Sequence, residues 1–340
     1  MDSRRALTVV GTVAAVIAAG PAASAGAAKP THPPQVRELA TFAAPTCDAD
    51  TGGGCGQGST VGPDEALYVT DGPSGRVLRI DPRTGAISTF VSGLPRKNVG
   101  PPIGAATDVV FAGRTAYVLV SLVGPVFGQP DVVGGLYRVK RDGTATPVAD
   151  LGAFSIAHPP ATPFFLPSGV QYAVERYRDG FVVTDGHHNR VLRVTDRGRI
   201  SVMRPFGNIV PTGLEVRGGA VYMARAGAIP HDASEGRILR ITPWWAAREV
   251  ASGAALAVDV EFGHGGRLYA LSQGDWNLPE IPDNEGKPAS ANTGALLEVG
   301  HHGTMRPVVT GLDRPTSVEF IGRTAFVVTY TGKVLRIDGV

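Results

Sequence analysis

The chain has 340 residues, 43% hydrophobic and 18% charged, with 45 Gly and 27 Pro. That is ample apolar material for a core and excludes a chain too polar to fold. A net charge of +2, with no run of Lys and Arg along one element, excludes the electrostatic footprint of a nucleic-acid binder.

Residues 1–25 read as a secretory signal peptide. Arg4 and Arg5 make a positive n-region, Ala6 to Ala19 an apolar h-region, and Ala23-Ser24-Ala25 a small-x-small cleavage site. The apolar run is shorter than the roughly 20 residues of a membrane span, and no later stretch qualifies. The mature chain is therefore expected to be secreted, without a membrane span, and monomeric. Residues 26–34 are small residues and Pro and read as a disordered linker. Cys47 and Cys55 are the only cysteines; in an exported chain the pair reads as a disulfide closing a short loop, worth about 2–3 kcal/mol.

From there on the chain repeats itself. Gly75-Arg-Val-Leu-Arg-Ile80 returns as Gly135-Leu-Tyr-Arg-Val139, Asn189-Arg-Val-Leu-Arg-Val194, Gly236-Arg-Ile-Leu-Arg-Ile241, Gly294-Ala-Leu-Leu-Glu-Val299 and Gly332-Lys-Val-Leu-Arg-Ile337. The alternation of apolar and polar residues is that of a strand with two different faces. An apolar strand precedes each copy, as in Ala66-Leu-Tyr-Val69 and Ala325-Phe-Val-Val328. Before it comes a further strand: Gly58 to Val61, Asp108 to Phe111, Gly169 to Tyr172, Gly213 to Val216, Asp259 to Phe262 and Ser317 to Phe320. A fourth follows, as in Ile87 to Val91. Four short strands, six times over, with turns such as Asp81-Pro-Arg-Thr-Gly85, predict an all-β, six-bladed β-propeller of four-stranded antiparallel blades over 35–340. The last unit ends after its third strand, while Val36-Arg-Glu-Leu-Ala-Thr-Phe42 resembles Ile87-Ser-Thr-Phe-Val91. The N-terminal strand is thus expected to complete the last blade and remove an open edge.

Gly62-Pro-Asp-Glu-Ala-Leu-Tyr-Val69, followed by Thr70-Asp71 and Gly75-Arg-Val-Leu-Arg-Ile80, resembles NHL-like and SMP-30-like six-bladed propellers. The cysteine-bearing loop after the first strand, Gly104-Ala-Ala-Thr-Asp-Val109, Pro211-Thr-Gly-Leu214 and Thr184-Asp185 more specifically resemble the ScyD/ScyE family, named for the scytonemin biosynthesis cluster. The similarity runs from Val36 to Val340. It implies fold and export and brings no catalytic residues. The chain departs from the pattern at Gly186-His187-His188 and at Phe164-Phe165-Leu166.

In a propeller the first strand of each blade lines the channel, and the loops joining second to third strands share a face with those linking blades. The longest irregular stretches, 122–134, 152–168, 226–235 and 272–293, fall in these classes. They either bind a ligand (a small molecule, carbohydrate or protein) or plug the mouth. Alignment of the first strands places Gly58, Asp108, Gly169, Gly213, Asp259 and Ser317 together, so Asp108 and Asp259 stand in opposite blades. They either hold Ca²⁺ or another divalent cation, at the location where SMP-30-type enzymes use a metal, or accept backbone N–H groups. Asp185, His187, His188 and Asn189 form the densest polar group, a ligand cluster or a capped turn. Trp276 stacks on a ligand or anchors its loop, whereas Trp244 and Trp245, on the opposite side, are expected to cover a blade edge. No nucleophile elbow, zinc motif or phosphate loop is present. Three functions follow: an exported binding propeller without chemistry of its own; a metal-dependent lactonase-like hydrolase using Asp108 and Asp259; and a small-molecule lyase with His187 as base.

Overall fold

The computed structural model describes residues 33–42, 56–96, 104–229, 232–242, 244, 246–276 and 287–340. The expected signal segment, most of the linker and the Cys47–Cys55 bridge lie outside the described residues. Strand β1 (Gln35–Thr41) comes first in the chain and joins the last blade. Blade one is β2 (Gly56–Val61), β3 (Leu67–Asp71), β4 (Arg76–Ile80) and β5 (Ile87–Val91). Blade two is β6 (Ala105–Ala112), β7 (Thr115–Ser121), β8 (Gly135–Val139) and β9 (Ala145–Asp150). After the short helix α1 (Leu151–Ala157), blade three is β10 (Gln171–Tyr177), β11 (Gly180–Asp185), β12 (Arg190–Thr195) and β13 (Ile200–Pro205). Blade four is β14 (Pro211–Arg217), β15 (Ala220–Arg225), β16 (Arg237–Ile241) and β17 (Ala247–Ser252). Blade five is β18 (Ala257–Phe262), β19 (Leu268–Ser272), β20 (Gly294–Val299) and β21 (Met305–Leu312). Blade six is β22 (Pro315–Ile321), β23 (Thr324–Thr329) and β24 (Lys333–Asp338), closed by β1 against β24. Every pairing is antiparallel, giving the predicted six-bladed propeller with its N-terminal strand in the last blade.

The period-two pattern explains the packing. Successive side chains of a strand point to opposite faces, so each second strand feeds two interfaces. Tyr68 packs toward blade two while Leu67 and Val69 pack toward blade six. Likewise Val118 and Val120 face blade one, and Tyr117 and Leu119 face blade three. Six apolar clusters result, one between each pair of neighbouring blades. Each fully buried Val, Leu or Phe contributes about 1.5–3 kcal/mol. The ring closes in the same way, with Ala40 and Phe42 of the N-terminal segment buried against Val334 and Leu78.

Three local expectations are corrected. The inner strand of blade three is β10, later than Gly169–Tyr172. All six inner strands carry a comparable register shift at their channel-facing residue, and this shared pairing pattern, not the Pro-Ser-Gly lead, aligns blade three with the others. The residue equivalent to Gly58, Asp108, Gly213, Asp259 and Ser317 is therefore Ala173, one before the Val174–Val183 pair. Gly169 instead sits before the strand at φ +66, where a Cβ would lie 2.1 Å from Asp185 Oδ1. The stretch 152–168, read as irregular, begins inside α1, whose first turn is capped by Asp150 accepting from the Ala153 amide at 2.8 Å. Trp244 covers no blade edge, since it is 90% exposed; Trp245 lies outside the described residues. His301 and His302 are exposed in the β20–β21 turn. Among the described residues no helix is long and apolar enough to cross a membrane.

Candidate functional site

The six equivalent inner-strand positions all line one cavity of about 150 Å³ at the end of the central channel. It opens on the long-loop side, where Gln57, Tyr172, Gln273 and Tyr330 stand on the rim with the exposed Lys287. Leu214, Val258 and Leu256 give it an apolar wall, and Asp108, Asp259, Glu175, Glu261 and Glu319 an acidic floor.

Asp108 and Asp259 make matching contacts from opposite blades. Asp108 accepts from its own blade's Val109 amide at 2.8 Å and from the Val174 amide of blade three at 2.8 Å. Asp259 accepts from the Val260 amide at 2.9 Å and from the Val318 amide of blade six at 2.8 Å. On the other flank, glycine makes room: a Cβ on Gly58 would lie 2.2 Å from Asp108 Oδ1, and one on Gly213 would lie 2.5 Å from Asp259 Oδ1. Each carboxylate thus bridges two blades through backbone amides, the second of the two roles open to it from sequence. Burial pushes the carboxyl of Asp108 well above its ordinary range, with the charge of Asp259 adding to it, and pushes that of Asp259 to about 7. The residues do not suit a divalent ion. Both oxygens of each Asp are engaged, and among the described residues no three His, Cys, Asp or Glu side chains converge closely enough to hold a metal.

Two residues beyond the aligned position the chain places a second set of acids that sequence reasoning missed. Glu175, Glu215, Glu261 and Glu319 occupy this position in blades three to six, on the same strand face as the first set. The signal was present as Val174-Glu, Leu214-Glu, Val260-Glu and Val318-Glu in four consecutive repeats. The channel leaves these side chains partly accessible to water, yet protein surrounds them closely enough that burial is the main cause raising all four carboxyls. Mutual repulsion adds to it for Glu175, Glu261 and Glu319. At Glu215 the neighbouring Glu261 side chain and the backbone offset part of that rise.

The Asp185 group is a separate construction. Asp71-Gly-Pro-Ser-Gly-Arg76 and Asp185-Gly-His-His-Asn-Arg190 are the same turn in two blades. Arg76 Nε donates to Asp71 at 2.7 Å, and Arg190 Nε donates to Asp185 at 2.9 Å. In blade three the pair is fully buried and extended. Ser155 of α1 donates to Asp185 at 3.0 Å, and Arg190 donates to Ser155 at 2.9 Å and to the His158 carbonyl at 2.6 Å. His188 Nε2 lies 3.0 Å from the Leu166 carbonyl, so it carries the proton there, and Nδ1 accepts from Arg190 at 3.1 Å. Burial lowers the His188 pKa, keeping the ring neutral. Burial raises Asp185, while His188 and Arg190 pull it back down. Asn189, at φ +53, accepts from the Ile209 and Val210 amides at 2.8 and 3.0 Å. Asp185, His188 and Asn189 therefore staple α1 and the following loop to the ring and do not face the cavity. His187 lies one step behind the mouth, its Nε2 3.3 Å from the hydroxyl of Tyr172.

Trp276 is 8% exposed and packs with Val210, Ala226, Leu256 and Ala289. Three of these partners line the cavity; of its two possible roles, Trp276 takes that of loop anchor, forming the rim from behind.

Similar folds occur in solved structures. The chain matches virginiamycin B lyase from Staphylococcus aureus at 14% identity and a TM-score of 0.53, over 90% of this chain and 99% of that one. It matches a gluconolactonase from Xanthomonas campestris at 12% identity and a TM-score of 0.56, over 93% and 98%. It also matches a chain of the nidogen–laminin complex at 11% identity and a TM-score of 0.50, over 78% and 84%. No family model and no curated protein matches the chain. At such identities the likeness is one of fold alone, and the gluconolactonase and nidogen matches are six-bladed propellers.

Proposed function

We propose that this is an exported propeller of ScyD/ScyE type that binds a small ligand at the channel mouth. The observation that carries the reading is the cavity, which combines an apolar wall and an acidic floor on the side where the long loops gather. The residues offered as chemistry elsewhere support binding over catalysis: both Asp carboxylates are occupied by amides, and neither His187 nor His188 lines the cavity. The test is a metabolite and carbohydrate screen by equilibrium dialysis, with Ala173→Phe, which places a ring in the cavity, as control. Compounds retained by the wild type and lost with Ala173→Phe are expected; a retained set identical in both proteins overturns the reading.

A second reading, hydrolysis of a lactone or ester, draws on the fold shared with the gluconolactonase and on carboxyls held toward neutral pKa, the range a general acid or base needs. It requires turnover of a lactone panel that Glu261→Gln abolishes in a folded protein.

A further inference from the structure

The cavity and the loop face beside it together specify a ligand. Glu319 lines the cavity and accepts no hydrogen bond from any described residue, and the charged groups acting on it are Asp259, Glu175, Glu215 and Asp108, all carboxylates. A half-buried carboxyl without a protein donor is costly when ionised, and no cation among the described residues offsets it. Among the described residues, Lys287 is the only basic side chain lining the cavity, and it sits exposed on the rim.

Independently, aromatic rings lead outward from the mouth. Tyr172 lines the cavity and meets His187 through its hydroxyl, and Phe165 packs edge-on against His187 with centroids 4.8 Å apart. Phe165 is 53% exposed. Phe164 repeats the contact against His188 at 4.9 Å and is also exposed. Two adjacent phenylalanines held by imidazoles with their outer surfaces in solvent form an apolar shelf next to an acidic pit.

Resting on the pocket reading above, we infer that the ligand is an organic cation: an ammonium head seated against Glu319 in the channel, and an aromatic or apolar body lying along Tyr172 and Phe165. The head supplies the donors that Glu319 lacks, and the body covers the exposed ring.

The test uses three probes with one body and three charges: 2-phenylethylamine, 2-phenylethanol and phenylacetate, titrated calorimetrically into the mature chain. The cation is expected to bind about tenfold or more tighter than the alcohol, the scale of a charge-assisted hydrogen bond, and the anion not at all. Glu319→Gln should bring the cation to the alcohol's affinity and leave the alcohol unchanged, and Phe165→Ala should weaken cation and alcohol alike. Should Glu319→Gln not fold, the wild type decides: cation binding in buffers of different ionisation heat should release protons between pH 6 and 7, because Asp108, Asp259, Glu175, Glu215 and Glu261 face Glu319 and are all raised, whereas the alcohol should release none. Equal affinity for cation and alcohol, or preference for the anion, overturns the inference. If the metabolite screen returns only neutral or anionic ligands that Ala173→Phe excludes, the charge assignment falls and the pocket reading stands; if neither experiment finds binding, both fall.

Discussion

Gly58 and Asp108 fit each other across the boundary between blades one and two: a single carbon added to Gly58 would lie 2.2 Å from Asp108 Oδ1 and 2.7 Å from its Cα. Gly213 and Asp259 repeat the fit in the opposite half of the ring. Gly58→Ala must displace either the aspartate or the strand that carries it. The expected cost is about 1–3 kcal/mol, the range for overpacking a closed interior, read as a lower urea midpoint at constant slope.

The raised channel carboxyls set a pH dependence. Burial pushes Asp259 up to about 7 in the folded chain from an ordinary 3.8. Over that window the folded state holds the proton that the unfolded state has lost, so stability is highest below about pH 4 and falls as pH rises toward 7. Glu319 is shifted the same way. Glu319→Gln removes its share, so the variant's urea midpoint should gain on the wild type steadily from pH 5 to pH 8. A constant difference would mean that Glu319 is unshifted.

His188 carries the opposite sign. Its pKa is lowered by burial from 6.5, so its contribution is present at neutral pH and declines as pH falls below that value. Its ring resonances are expected to report the neutral tautomer protonated at Nε2 at pH 6.5, with a midpoint below that pH.

Arg190→Ala leaves the Asp185 carboxyl buried without its guanidinium, at an expected cost of about 3–5 kcal/mol. Arg190→Lys should recover little. One ammonium cannot serve Asp185, Ser155 and the His158 carbonyl at once, as the planar fork does. Limited proteolysis should cut first within 158–168, the segment this network holds down.

Closure of the ring rests on the N-terminal segment. Phe42 is 7% exposed at the interface of blades six and one, and Phe42→Ala should cost about 3–5 kcal/mol. A chain beginning at Gly56 leaves β24 as an open edge and should lose its cooperative urea transition.

The repeat, the number of blades, the four strands of each and the closing role of Val36 to Phe42 were all legible in the sequence. Each is written in neighbouring residues, as alternation along one strand and turn residues at its ends, and local periodicity survives folding unchanged. The acidic floor was half legible. Asp108 and Asp259 stood out because the residues aligned with them are Gly and Ser, whereas Glu175, Glu215, Glu261 and Glu319 lay beyond the position aligned, in plain repetition. What only the tertiary structure decided is which side chains meet. The pairing of β10 with β11 put the channel position at Ala173 and not at Gly169. Ser155, on a helix the pattern did not announce, reached Asp185, and Trp276 turned inward beneath the rim. Such contacts join residues tens or hundreds of positions apart, and one residue of register decides whether a side chain faces the channel or a neighbouring blade, so they are properties of the closed ring and not of any single repeat.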